Sequence, residues 1–282
     1  NLDGLPVAME MHGARVGELN FTAAWLRLPD PEPAAESDKP SLSSTALANQ
    51  ALAAMQKGMV SNIAGKVTER REQTIALVNS KGGVGKSTSA IAIAELFARE
   101  VGPTTLIDLD EVTGSATSWA AIAAAREQPL QARIETPPDG TPVTRLTRML
   151  DQMTEGAEWV VIDSPPGDVD RSDIAVEYVA RNGGLIVIPA KTTELDASRV
   201  LATAQWVGER ATCYVLLTHT RAGTLSRGGI RAQIDAGAIP AKILATEIPL
   251  RETIAAATVN LQPALDFYRP LVAELLTAAQ EG

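Results

Sequence analysis

Ten consecutive residues, Asn79 to Thr88, combine the side chains and glycines that bind phosphate groups. They read Asn-Ser-Lys-Gly-Gly-Val-Gly-Lys-Ser-Thr and directly follow the apolar run 74–78. Glycines let the backbone approach a ligand closely, and a helix that begins beside them directs its N–H groups and its dipole at phosphate. In such a loop a lysine reaches the β and γ phosphates and a hydroxyl binds Mg²⁺. The loop therefore predicts a nucleotide site in which Lys86 contacts the phosphates and Ser87 binds Mg²⁺.

Two aspartates stand at the end of the next apolar run. In the segment 106–110, Leu-Ile-Asp-Leu-Asp, alternation along a strand would point Asp108 and Asp110 to the same side. Phosphoryl transfer needs an oriented nucleophile and neutralised charge, and paired carboxylates beside a triphosphate can position water and hold the outer shell of Mg²⁺. We assign Asp110 to the catalytic water and Asp108 to the metal. The alternative is structural, because an acidic residue at a strand end can instead cap the next helix.

The glycine-rich loop departs from the common G-x-x-x-x-G-K-[ST] pattern. Ser80 stands where the first glycine should, and a second lysine, Lys81, follows it. The variant Lys-Gly-Gly-x-Gly-Lys-Ser/Thr resembles the deviant Walker A loop of the ParA/MinD family of dimerising ATPases. In that family the extra lysine crosses the dimer interface to the partner's nucleotide, so the resemblance implies that Lys81 acts with Lys86 and Asp110 in catalysis. The predicted nucleotide-binding residues are Lys81, Gly82, Gly83, Val84, Gly85, Lys86, Ser87 and Thr88. A glycine-rich turn without a ligand is the alternative, but it leaves the two lysines unexplained.

Two later motifs stand in the order of the same family. The paired aspartates resemble its second signature, usually Asp-x-Asp-Pro-Gln-Gly, although Glu-Val-Thr-Gly at 111–114 replaces the middle of it here. The run 159–167 looks like a Walker B motif in the Asp-Ser/Thr-Pro-Pro-Gly form. This resemblance implies that Asp163 holds the Mg²⁺ shell, often through water. The predicted metal residues are therefore Ser87, Asp108 and Asp163, with Mg²⁺ as cofactor and ATP as substrate.

The elements that would position these residues alternate along the chain. From Gln73 onward, short apolar runs are separated by helix-compatible stretches, the pattern of βαβ units and a mostly parallel sheet. We expect an α/β, P-loop NTPase domain over 71–282, with a twisted sheet, helices on both faces, and ligands at the carboxyl ends of the strands. Residues 1–70 are predicted to form an arm, a proline-rich linker and a peripheral helix over 46–57. The predicted strands are 74–79, 104–108, 158–163, 184–189, 212–218 and 242–246.

Composition excludes several classes of function. Lys and Arg number 25 against 34 Asp and Glu, a formal charge of -9, which argues against a globally basic nucleic-acid binder. Cys213 is the only cysteine, so one chain cannot form an internal disulfide or supply the ligands of an iron–sulfur cluster. This excludes nitrogenase-type reductases and iron–sulfur carriers. No apolar run nears the roughly 20 residues of a bilayer span, and the tail after Leu271 is acidic, unlike the basic amphipathic helix of MinD-like proteins. We expect a cytoplasmic protein without membrane contact.

Within the family, these absences favour a ParA-type partition ATPase. The resemblance implies an ATP-dependent homodimer that coats nonspecific DNA, associates with the nucleoid, and is released when a ParB-like partner stimulates hydrolysis. A local concentration of positive charge supports DNA contact, because exposed basic side chains bind phosphates without reading sequence. The predicted DNA-binding residues are Arg221, Arg227, Arg231 and Arg251, with Lys242 near them in the sequence. A solvated surface with scattered arginines is the competing interpretation.

Three other functions stay open. A P-loop ligase or synthetase would use ATP on a small molecule, a MinD-like ATPase would position another cargo, and a nucleotide-regulated scaffold would have lost catalysis. The run 214–218 resembles the strand whose end approaches the adenine, but Thr218 and His219 replace the asparagine that many relatives place there. We expect His219 to occupy a solvated loop position rather than to act as a catalytic base.

Overall fold

The computed structural model describes residues 72–111, 114–221, 227–257 and 260–281. The arm, linker and helix predicted over 1–70 lie outside the described residues. Within them, seven parallel strands form one sheet in the spatial order β3-β2-β4-β1-β5-β6-β7. The strands are β1 Gln73–Leu77, β2 Thr104–Asp108, β3 Arg133–Glu135, β4 Trp159–Asp163, β5 Leu185–Ala190, β6 Thr212–Thr220 and β7 Lys242–Pro249.

All six predicted strands are present, and one further strand was not predicted. Two of the six run further than expected, since β6 continues to Thr220 and β7 to Pro249. The unpredicted strand, β3, has only three residues, Arg-Ile-Glu, and none of them is fully buried. It lies at the edge of the sheet and pairs only with β2. An edge strand of this length has no apolar run by which the sequence could reveal it.

Helices lie on both faces of the sheet, which confirms the predicted α/β class. In the part of the chain that the structure describes, α1 and α8 pack in the apolar layer on one face, and α3, α4 and α5 pack in the layer on the other. None of the described helices is both long and apolar enough to cross a membrane. The helices are α1 Lys86–Glu100, α2 Ser115–Ala125, α3 Val143–Met153, α4 Val169–Asn182, α5 Glu194–Val207, α6 Arg227–Asp235, α7 Glu252–Ala255 and α8 Gln262–Glu281.

Side chains alternate between the two apolar layers along each strand. In β1, Ile75 and Leu77 join the layer that contains α1 and α8, whereas Ala76 joins the layer that contains α4 and α5. Because helices cover both faces, every side chain of β2, β4 and β5 is buried. A parallel strand buried on both sides reads as a continuous apolar run, which is why these strands were visible in the sequence.

The packing of α1 fixes its N-terminus at the carboxyl edge of the sheet. All nine residues from Ser89 to Phe97 are buried, because the sheet lies on one side of this helix and α8 on the other. Phe97 stacks on Trp159 of β4 with 4.3 Å between the ring centroids, an arrangement that adds to the area burial of both rings. The helix is therefore anchored along its length, and the loop before it starts from a fixed point.

Strand order brings the predicted site residues together. β2, β4 and β1 are adjacent, so their carboxyl ends meet at one edge. Asp108 at the end of β2 is the register partner of Asp163 at the end of β4, which also pairs with Leu77 at the end of β1. The loop that begins at Asn79 thus emerges beside both aspartates.

Candidate nucleotide-binding site

The glycine-rich loop turns from β1 into α1 through two left-handed residues. Gly83 has a φ of 68° and Gly85 a φ of 89°, values that side chains rarely tolerate and that glycine adopts freely. Gly85 is the N-cap of α1, and no side chain among the described residues caps the helix. The first N–H groups of an α-helix have no partner within it, so this end of α1 offers donors to a ligand.

Two residues outside the Lys-Gly-rich core of the loop fasten it to neighbouring strands. The Asn79 Nδ2 donates to the carbonyl of Pro189 in β5 at 2.8 Å, and its Oδ1 accepts from the backbone N–H of Lys81 at 2.9 Å. The Thr218 hydroxyl of β6 lies 2.9 Å from the carbonyl oxygen of Val84 and 3.2 Å from that of Ala190. Sequence reasoning gave neither residue this role, because each makes one of its contacts with a residue more than a hundred positions away.

Lys86 lies inside the loop rather than at its surface. Its side chain is buried, and its Nζ donates to the carbonyl oxygen of Lys81 at 3.1 Å. Burial lowers the pKa of Lys86, while the carboxylates of Asp163 and Asp110 act in the opposite direction. The ammonium group is therefore held among the loop carbonyl and two acidic groups, where it can meet a phosphate that enters the loop.

Asp163 is a buried carboxylate at the end of β4, beside the phosphate loop. It is fully buried, and burial raises its pKa to about 7, with Ser87 and Lys86 lowering it and Asp108 raising it. Neither of its oxygens makes a well-formed hydrogen bond within the described part of the chain. A buried polar atom without a partner is costly, so this position favours a bound cation. The Asp163 oxygens and the Ser87 hydroxyl are the ligand type that Mg²⁺ prefers, and the residues therefore fit this metal.

Asp108 is also buried, but its carboxylate already has hydrogen-bond partners. Its Oδ1 accepts from the N–H of Asp110 at 3.1 Å, and its Oδ2 accepts from the N–H of Ala116 at 3.0 Å and of Thr117 at 3.4 Å. Burial raises the pKa of Asp108, and these three N–H groups act to lower it. Asp108 thus caps α2, which is the structural role that the sequence left as an alternative, and its contact with a metal remains a prediction.

The side chain of Lys81 points away from the loop and pairs with Asp196 of α5. Its Nζ is 2.6 Å from the Oδ1 of Asp196, and its side chain is 26% exposed whereas that of Asp196 is 1% exposed. Burial acts to raise the pKa of Asp196, but hydrogen bonds from Lys81 and Thr193 outweigh it and hold the pKa below its usual range. Thr193 caps α5 by accepting from the Asp196 N–H, so the carboxylate that receives Lys81 is itself fixed. The two lysines of one loop therefore face different surroundings.

A cavity of about 190 Å³ adjoins the loop. The expectation that His219 occupies a solvated loop was wrong, because His219 lies in β6, is half-buried and lines this cavity. Its φ of 53° is a left-handed value, unusual outside glycine, and burial lowers its pKa. The other lining residues are Gly83, Gly85, Thr88, Thr218, Ile248, Pro249, Leu250, Arg251, Ile254, Ala255 and Tyr268.

The arginines predicted to bind DNA are not gathered into one group by the described contacts. Arg231 has its Nη2 4.0 Å from the Oε1 of Glu247, and Arg251 lines the cavity beside His219. Arg221 is exposed directly after β6. The side chain of Arg227 lies outside the described part of the structure. DNA contact by these residues remains a prediction.

Comparisons with known proteins agree with the fold and identify a nucleotide-binding domain. A model of the CobQ/CobB/MinD/ParA nucleotide-binding domain matches residues 75–264. The chain is 28% identical to the chromosome-partitioning ATPase Soj of Thermus thermophilus, in a match that covers 74% of this chain and 97% of that protein. Apo McdA of Cyanothece matches with a TM-score of 0.56 at 16% identity, over 74% of this chain and 99% of that one. The MinD cell division protein of Aquifex aeolicus matches with a TM-score of 0.54 at 18% identity, over 73% and 97%. These two structures establish similarity of fold alone.

Proposed function

This chain belongs to the CobQ/CobB/MinD/ParA nucleotide-binding family, and we propose that it is a Mg-ATP-dependent ATPase of the ParA type that dimerises with ATP and partitions DNA. The observation that carries the proposal is the division between the two lysines of one loop. Lys86 is buried within the loop, whereas Lys81 is partly exposed and lies against α5. A lysine that serves the nucleotide of a second copy must be able to reach outward. The partial exposure of Lys81 supports this role, in which Lys81 would exchange its contact with Asp196 for the nucleotide of the other copy.

Each requirement of ATP hydrolysis has a residue suited to it. Lys86 and the N–H groups of α1 would bind the phosphates, and Asp110, which is 5% exposed and near Lys86, would orient the attacking water. Ser87 and Asp163 would hold Mg²⁺, with Asp108 contributing from the outer shell. Bound Mg²⁺ would supply charge neutralisation on the phosphates. The products would be ADP and phosphate.

The carboxyl edge of the sheet also carries apolar side chains that a second copy would cover. Val169 at the start of α4 is 63% exposed, and Leu195, next to Asp196, is 61% exposed. Both follow strands that end at this edge, as Lys81 does. Removing such side chains from water favours association. We therefore place the homodimer interface around Lys81, Val169 and Leu195, so that ATP, two lysines and the apolar contacts act together.

DNA is the cargo that the comparisons favour. Soj carries the name of a chromosome-partitioning ATPase, and it matches nearly its whole length to this chain. We propose that Arg221, Arg227, Arg231 and Arg251 contact phosphates of nonspecific DNA in the ATP-bound dimer, which would place the protein in the cytoplasm and on the nucleoid. A ParB-like protein would then stimulate hydrolysis and release the dimer.

The test is binding of the purified protein to nonspecific duplex DNA with Mg-ATP, with Mg-ADP and without nucleotide, across a series of salt concentrations. We expect binding only with ATP, and affinity that falls steeply as salt rises because phosphate contacts release counterions. Arg221→Ala and Arg251→Ala should weaken binding and reduce the salt dependence. Arg181→Ala, on α4, serves as the matched control and should change neither.

The other outcomes separate the competing functions. ATP turnover without DNA binding in any nucleotide state would contradict DNA partitioning and favour a positioning ATPase with a protein partner. Turnover that requires a small metabolite and ignores DNA would favour a ligase or synthetase. Intact ATP binding with no turnover, even with candidate partners, would favour a nucleotide-regulated scaffold.

A further inference from the structure

We propose that Arg171 is a positioning residue for the loop that carries Asp110, and that it acts through its ion pair with Glu111. This inference rests on the proposed ATPase function, since it concerns how the water-positioning carboxylate is held. The ion pair joins α4, which carries Arg171, to Glu111, the residue that follows Asp110 in the chain. No sequence motif marks it, because Arg171 and Glu111 are 60 positions apart.

Arg171 contacts three separate loops at the carboxyl edge of the sheet. Its Nη2 donates to the carboxylate of Glu111, in the loop after β2, and to the carbonyl oxygen of Thr141 at 3.2 Å, in the loop after β3. Its Nε lies 3.6 Å from the Oδ2 of Asp168, in the loop after β4. Asp168 also caps α4 by accepting from the backbone N–H of Arg171 at 3.0 Å. The guanidinium group therefore links the ends of three neighbouring strands.

Asp110 is held through both of its backbone polar groups. The N–H of Asp110 donates to the Asp108 carboxylate, and its carbonyl oxygen accepts from the N–H of Gly114 at 2.8 Å. These backbone contacts hold the turn at Asp110. The Glu111 side chain adds a restraint from α4, because it pairs with the rigid fork of Arg171, which belongs to that helix.

Burial supports positioning rather than stability as the purpose of the pair. The side chains of Arg171 and Glu111 are 8% and 24% exposed. Among the described residues, the Nη1 of Arg171 has no hydrogen-bond partner although it is buried. Buried ion pairs contribute little net stability, because desolvation offsets their attraction, and a donor left without a partner adds to that cost. The presence of a largely buried arginine with one N–H group unpaired within the described part of the chain is better explained by the geometry that it imposes on Glu111 than by a gain in stability.

A second ion pair on α4 offers a matched control. Arg181 pairs with Asp151 of α3 near the other end of the helix, and both side chains are about half exposed, at 45% and 50%. This pair joins the same two residue classes, an arginine of α4 and an acidic residue of another element. Arg181 and Asp151 lie near the C-terminal ends of their helices, whereas Arg171 lies in the first turn of α4, next to the loop that follows β4. Its loss should therefore leave the Asp110 loop unchanged.

The test compares steady-state Mg-ATP turnover of Glu111→Gln, Arg171→Lys, Arg171→Met and the double variant Glu111→Gln/Arg171→Met with the controls Arg181→Met and Asp151→Asn. We expect Glu111→Gln to lower kcat about tenfold while KM changes by less than about twofold, because a small displacement of a catalytic group costs rate more than binding. The double variant should be no slower than the single ones, since the two residues act as a unit. Arg171→Lys should have a higher kcat than Arg171→Met, because it keeps the positive charge. The controls Arg181→Met and Asp151→Asn should have the wild-type kcat and KM.

Amide hydrogen exchange provides a readout that does not depend on turnover. The N–H groups of Gly114 and Ala116 should exchange faster in Glu111→Gln than in the wild type or in Asp151→Asn. Glu111→Gln with wild-type kcat and wild-type exchange would overturn the inference, whatever Arg171→Met does to folding. Equal losses in the controls would also overturn it. A wild-type protein that never hydrolyses ATP would instead contradict the proposed function, and the exchange rates would still decide whether Arg171 holds the loop.

Discussion

The N-termini of α1 and α2 begin in the same way and serve opposite purposes. Each helix starts at the carboxyl edge of the sheet after a left-handed glycine, Gly85 with a φ of 89° and Gly114 with a φ of 49°. At α1 no described side chain caps the helix, and its first turn is left to a ligand. At α2 the Asp108 carboxylate accepts from the N–H groups of Ala116 and Thr117. The N-terminus of α1 is therefore the proposed site for the phosphates of a ligand, whereas the N-terminus of α2 is occupied by a carboxylate of the protein itself.

Packing explains why the two helices can differ in this way. α1 is buried over nine consecutive residues, whereas only Ala116 is buried in α2. A helix anchored by its neighbours can leave its first N–H groups for a ligand, since tertiary packing supplies most of its stability. A lightly packed helix depends on its cap, and the cap of α2 is the strand-end aspartate beside the catalytic candidate Asp110. The comparison predicts that changes at α1 affect nucleotide binding and that changes at α2 affect stability.

The largest effect is expected from Lys86→Ala, which removes the cation held inside the loop before α1. Nucleotide binding should weaken by about a hundredfold or more, because a buried charge-assisted contact to phosphate is lost. Calorimetric titration with Mg-ATP measures it. Asp110→Ala is the control, since it should bind ATP normally and lose hydrolysis. Wild-type affinity in Lys86→Ala would show that the α1 end is not the phosphate site.

Lys81→Ala should separate nucleotide binding from dimerisation. We expect ATP to bind but the ATP-dependent dimer to be lost, because the proposed role of Lys81 is to contact the nucleotide of the other copy. Sedimentation or light scattering with Mg-ATP measures the mass. Asp196→Asn breaks the same 2.6 Å ion pair and keeps the lysine, so it should retain the dimer. A Lys81→Ala protein that dimerises normally would remove this lysine from the interface.

Asp108→Ala should lower the free energy of unfolding by about 1–2 kcal/mol, the usual cost of losing a helix N-cap. Chemical denaturation of the nucleotide-free protein measures this change, and affinity for ATP without Mg²⁺ should stay near the wild type. If stability were unchanged and only the Mg²⁺ dependence were altered, Asp108 would be a metal residue first and a cap second. The comparison of the two helices would then fail at α2.

The smallest effects are expected from the paired variants Gly85→Ala and Gly114→Ala. Each should cost about 1 kcal/mol of stability, because alanine is strained at a left-handed φ. Only Gly85→Ala should also weaken ATP binding, because relief of the backbone strain at Gly85 would shift the loop proposed to hold the phosphates. The added methyl itself meets no clash at either position, since its nearest neighbour at Gly85 is His219 at 3.7 Å and nothing lies within 4 Å of it at Gly114. Thermal unfolding measures the stability of both variants, and titration with ATP measures their affinity. Equal losses of affinity would indicate that the helices are not functionally distinct.

The phosphate loop was predictable because its chemistry is local. Its glycines and lysines lie within ten residues, and the strand before it is recognisable in the sequence as an apolar run. Asp108 and Asp163 were harder to tell apart, since both end buried strands in the same manner. Among the described residues, three backbone N–H groups donate to Asp108, whereas neither oxygen of Asp163 makes a well-formed hydrogen bond, and that difference depends on where α2 begins relative to the strand end. Asn79, Thr218 and His219 gained roles at the site only through contacts with distant segments.

The sequence by itself determined the α/β class, the positions of the six longer strands along the chain and the loop predicted to bind phosphate. It could do so because hydrophobic periodicity and glycine spacing act over short stretches of chain. The tertiary structure alone decided that β4 lies between β2 and β1, which brings Asp163 beside Lys86. It also decided that Asp108 faces a helix and that Arg171 reaches Glu111. These outcomes depend on the packing of segments far apart in the chain, where burial and hydrogen-bond partners are settled only after the elements have come together.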